Sequence, residues 1–192
     1  MSDAPHLPVV STWSDVREGQ EYETTRPLEG WRVSVALFNG MLQPFYEATE
    51  AVAVCGLDDT GAPIHTGVEV HPACLCGIYL VDTPAHLVDY WADGLGRYQA
   101  RRAQLGVAWG GLVVCRVETA GNVTGHANRE DMHPPDTPHC YRSNRITLKQ
   151  VYVPSGNKNW LPERIQDKYP SVPVSRMRGP FHALARETTE TS

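Results

Sequence analysis

Two segments, Trp31 to Phe38 and Arg145 to Val153, most constrain what this chain can fold into. In the first, Trp31, Val33, Val35 and Leu37 recur at every second position, and the second alternates in the same way. Successive side chains of an extended strand point to opposite faces, so this period turns one face of each segment toward a core and argues against a helix. Ala51 to Cys55 and Cys76 to Val81 are short apolar runs rich in β-branched residues and read as buried strands. Val107 to Glu118 reads as a long strand in which the pair Gly110-Gly111 marks a bulge.

Two helices are expected. Thr83 followed by Pro84 is a helix start, because the hydroxyl caps free amides and proline suits the first helical position. Leu87, Trp91, Leu95, Tyr98 and Leu105 follow at helical spacing, with a bend at Gly94 and Gly96 and an end at Gly106. A short late helix is expected from Pro162 to Tyr169, with Ile165 and Tyr169 facing inward. Strands and helices do not alternate as a doubly wound sheet requires. The expected class is therefore α+β: a curved, partly closed, mostly antiparallel sheet with one main helix and a short late one. Residues 1–29, which hold Pro5, Pro8, Gly19 and Pro27, read as an N-terminal arm. Residues 30–180 read as a single domain with an inserted loop at 119–139, and 181–192 as a flexible tail.

A hydrophobic fraction of 41% and a charged fraction of 20% match a globular chain rather than a disordered one. No run approaches the ~20 apolar residues of a membrane span, and the opening MSDAPHLPVV lacks the pattern of a signal peptide, so a cytoplasmic location is expected. Five cysteines then read as thiols or metal ligands rather than as a disulfide framework.

The most specific local pattern is His71-Pro-Ala-Cys-Leu-Cys-Gly77, preceded by Cys55. Thiolates and imidazoles are preferred zinc ligands, and Cys55, His71, Cys74 and Cys76 supply the four that a closed structural site needs, with His65 as a substitute for His71. The competing reading makes Cys55 and Cys76 small buried residues of core strands.

The run His71 to Tyr79 resembles the hallmark of an uncharacterised family of actinobacteria and their phages, H-P-x-C-x-C-G-I-Y with an upstream cysteine. Gly30-Trp31-Arg32-Val33, Trp109-Gly110, Tyr141-Arg142 and Tyr169 with Val172-Pro173-Val174 are similar to its further landmarks in order. Asn144 stands where the family has glutamate, and the loop around 119–139 reads as an insertion. The resemblance implies a shared architecture and Cys/His cluster but no activity.

Two further groupings bear on function. The loop from Gly125 to Cys140 gathers His126, His133 and His139 with Glu130, Asp131 and Asp136, the residue types of an open metal site that activates water, although polar loops collect such residues without purpose. Arg97, Arg101 and Arg102, with Arg142 and Arg145 and the aromatic Trp160, are candidates for a binding surface. The net charge of -5 argues against a generally nucleic-acid-coating surface. The reading preferred from sequence is an intracellular zinc-stabilised module that binds a protein partner. A metal-dependent hydrolase and a nucleic-acid-binding domain are the alternatives.

Overall fold

A computed structural model describes residues 6–53, 77–88, 100, 102–125 and 139–178. The strands are β1 (Val9–Val10), β2 (Glu21–Thr24), β3 (Glu29–Leu37), β4 (Glu50–Val52), β5 (Ile78–Val81), β6 (Trp109–Thr119), β7 (Val123–Gly125), β8 (Cys140–Ser143), β9 (Arg145–Val153) and β10 (Val174–Arg176). They form one ten-stranded sheet in the order β1-β2-β7-β8-β5-β3-β6-β9-β10, with β4 also on β9. The pairings β1–β2 and β9–β10 are parallel and the others antiparallel, the mostly antiparallel arrangement expected from the lack of strand–helix alternation. Among the described residues the sheet does not close. Its path runs from β1 at one end to β10 at the other, in place of the partly closed sheet expected.

The long central strands are buried on both faces, where the sequence period implied one. Ala36, Val113, Cys115 and Val117 join one apolar cluster with Leu161, Ile165 and Tyr169, whereas Trp31, Val33 and Val114 join another with Leu87 and Met177. Alternate residues of β3 and β6 thus enter separate cores, as the pleat dictates. The helix Leu161–Lys168, α1, supplies the first core with Leu161 and Ile165 and ends at Tyr169, matching the late helix expected. The main helix expected from sequence falls largely outside the described residues, of which 84–88, 100 and 102–105 are helical. Its first turn covers the second core through Leu87.

Register irregularities account for two features of the alternation. Val117 pairs with Leu148 and Arg116 with Gln150, so Lys149 is an extra residue and Ile146 and Leu148 reach the same core as Val151 and Val153. Ala36 pairs with Gly111 and Leu37 with Trp109, which places the expected bulge at Gly110. A Cβ there would lie 2.6 Å from the Leu37 carbonyl oxygen. Gly110→Ala is therefore expected to destabilise the protein by about 1–3 kcal/mol in urea unfolding, as overpacking does, and an unchanged midpoint would contradict the bulge.

Residues 9–24, read from sequence as an arm, contribute β1 and β2 to the sheet, and β7 lies within the region read as an inserted loop. Tyr22, Val10 and Val123 make a small apolar cluster there. Among the described residues no helix is long and apolar enough to cross a membrane.

Candidate metal centre

The last rung of the β5–β8 ladder pairs Val81 with Cys140. Asp82 follows the first of these residues and His139 precedes the second, so the ladder brings two residues 57 positions apart to neighbouring places at its end. Beyond Asp82 the chain turns into a helix. The Thr83 hydroxyl accepts a hydrogen bond from the His86 amide (3.3 Å), and the Thr83 carbonyl accepts one from Leu87 (3.2 Å), while Pro84 occupies the first turn. The cap sets His86 back toward Asp82 at a separation of four residues.

His86 Nδ1 lies 2.5 Å from Asp82 Oδ1, and His139 Nδ1 lies 3.2 Å from Asp82 Oδ2. An ionised carboxylate only accepts, so both imidazoles donate from Nδ1 in the metal-free protein. The two rings stack with centroids 3.8 Å apart and planes 3° from parallel. One ligand atom from each of the three residues falls within 4.8 Å of the others. Donors bound to a tetrahedral zinc at 2.0–2.2 Å stand about 3.4 Å apart, so small side-chain rotations bring this set to bonding distance. A metal held through Nδ1 would take the place of these ring protons, each imidazole then carrying its proton on Nε2.

The centre is partly open. The side chains of Asp82, His86 and His139 are 16%, 30% and 43% exposed. His139 adopts φ +68, in the left-handed region that a residue with a Cβ enters at a cost of about 1–2 kcal/mol. On the protein side, Tyr141 stacks on Trp13 with centroids 4.3 Å apart, and its hydroxyl is pushed up to about 12, mainly by burial and further by the charge of Asp82.

Most of the residues expected from sequence fall outside the description of the structure. Cys55, His71, Cys74 and Cys76, together with Arg97, Arg101, His126 and His133, lie outside the described residues. Of the family-like motif, Gly77, Ile78 and Tyr79 are described, the latter two in β5. Cys115 and Cys140 are cysteines buried in the sheet, and burial pushes Cys115 up to about 11, as befits a small core residue.

The arginine surface is not assembled as expected from its described members. Arg142 is buried between β5 and β7, whereas a binding surface would need it exposed. Arg145 pairs with Glu50 at 3.6 Å and Arg116 with Glu29 through Nε at 2.7 Å. Arg102 is exposed. Trp160 lies instead against Phe38 and Arg164.

His139 was visible from sequence as a member of a histidine-rich loop, but Asp82 and His86 were not singled out. Their signal is the Asp-Thr-Pro-Ala-His run, in which a capped helix start sets a carboxylate and an imidazole four residues apart. No family model, no curated protein and no solved structure matches this chain.

Proposed function

We propose that the protein is a zinc-holding binding module that works inside the cell on a protein partner, with Asp82, His86 and His139 as ligands of one ion. The observation that carries the metal is the convergence of two imidazoles on one carboxylate from segments far apart in the chain. An ion at this place joins the end of β5 and the helix after it to the start of β8, so binding energy becomes folding energy. Nitrogen and oxygen donors in this ratio suit zinc, and the same set with more open positions suits ferrous iron.

A second reading, a metal-dependent hydrolase, is favoured by one observation: three protein ligands that are partly exposed leave a coordination position for water. The closed site of Cys55, His71, Cys74 and Cys76 is a separate proposal and would add a second ion.

Elemental analysis with single substitutions tests these readings. Purified protein should carry about one zinc for each intact site. His139→Gly, which relieves the left-handed backbone while deleting a ligand, should remove one equivalent and leave a folded protein. Cys74→Ser should remove a second equivalent if the cysteine site exists. Zinc content unchanged by His139→Gly refutes the centre. Phosphoester or amide hydrolysis that disappears with the same substitution replaces the binding module by the hydrolase.

A further inference from the structure

A second surface gathers at the far end of β3. Phe38 is 49% exposed, and its ring meets that of Trp160 edge to face with centroids 5.3 Å apart. The Arg164 guanidinium stands 4.2 Å from the Phe38 centroid and 4.9 Å from that of Trp160, and it donates to the Phe38 carbonyl oxygen at 2.8 Å. Arg176 donates to the carbonyl oxygens of Asn159 (2.8 Å) and Lys158 (3.4 Å), which brings a second guanidinium to the segment just before Trp160, where Lys158 is exposed. The Phe38 amide donates to the Ala108 carbonyl, so Val107, 95% exposed, rises next to the same group.

The charges here differ from several others in the protein. Arg116, Arg145, Lys149 and Lys168 each face a glutamate. Among the described residues, no carboxylate pairs with Lys158, Arg164 or Arg176. An acidic chain of net charge -5 thus carries here three cations without a carboxylate in contact, near exposed aromatic and aliphatic side chains, with Glu163 and Asp167 also exposed on α1. Tryptophan and arginine in contact are the residue types that dominate the energy of protein interfaces.

We infer that the Phe38, Trp160 and Arg164 surface, with Lys158 and Arg176, docks an acidic segment of a protein partner that alternates carboxylates with apolar side chains. A carboxylate meets the guanidinium edge in a fork, and an apolar neighbour covers Val107 and the ring edges. Stacked nucleobases fit less well, because Arg164 already stands over the faces of both rings. This deepens the binding-module reading and rests on it, but its site is distinct from the metal centre. Trp31 pairs with Val81 near Asp82, and Phe38 lies seven residues further along β3, roughly 20 Å away at about 3.3 Å per residue.

The test uses the full chain and a fluorescently labelled peptide of alternating glutamate and leucine, with a lysine–leucine peptide and oligothymidylate as competitors. Saturable binding of the acidic peptide is expected, weakened as salt screens the cations. Arg164→Glu and Lys158→Glu should each weaken it about 10-fold or more, as loss of an interface anchor or a charge reversal does. Arg26→Glu, exposed before the opposite end of β3, should leave it unchanged. Lys158 is exposed and buries no core, so its substitution reads binding rather than folding. His139→Gly should retain peptide binding and Lys158→Glu should retain zinc, which separates failure of this inference from failure of the metal centre. Absence of peptide binding, equal loss with Arg26→Glu, or tighter binding of oligothymidylate overturns the inference.

Discussion

Asp82→Ala is expected to weaken zinc binding by more than about 100-fold, because losing a group that merely orients a ligand already costs 10–100-fold and Asp82 is placed to bind directly while holding both imidazoles. In the metal-free protein its two oxygens receive His86 and His139 separately, so the substitution also leaves each ring without its acceptor. Competition titration against a chromophoric chelator reads the change directly. Asp82→Asn should fall between wild type and alanine, since the amide keeps the shape and one acceptor oxygen but loses the charge. Wild-type affinity in Asp82→Ala would remove this carboxylate from the centre.

Ile165→Ala should cost about 2–5 kcal/mol of unfolding free energy, the range for deleting a buried aliphatic side chain and leaving a cavity. Ile165 is fully buried on α1 in the larger core, with Leu161 and Tyr169 beside it. The surrounding structure has little freedom to collapse: Tyr169 is fixed by accepting the Leu42 amide at 2.9 Å and donating to the Tyr46 carbonyl. Gly40, at φ +86, lets the chain pass against the Arg164 carbonyl where a Cβ would lie 2.2 Å away. Val107→Ser, at a site open to solvent, should change stability by less than about 0.5 kcal/mol, so the pair measures burial against exposure in one urea series. A loss below about 1 kcal/mol for Ile165→Ala would mean that α1 does not pack as described.

The strands with the strongest alternation, β3 and β9, and the helix with Pro162 in its first turn were legible because local periodicity and capping encode them. The glycine pair in β6 gave away its bulge for a similar reason: only glycine permits the close backbone approach at Leu37. Strands of two to four residues such as β1, β7 and β10 escaped, because so short a segment holds no period and is extended only by its neighbours. Arg142 was misplaced on the surface since charge alone signals solvent, while the β5–β8–β7 pairing buries that position.

By itself, the sequence determined a sheet-rich α+β class, the two long alternating strands, the late helix and the presence of histidines fit to hold a metal. These follow from interactions within a few residues. Which histidine meets which carboxylate was decided only by the tertiary structure. Asp82 and His139 become neighbours because β5 and β8 pair in one register, and Phe38, Trp160 and Arg164 meet because Gly40 and Gly110 let distant backbones approach. Such contacts depend on strand order and register, which arise from the joint burial of all the strands and leave no mark on the local spacing of any one of them.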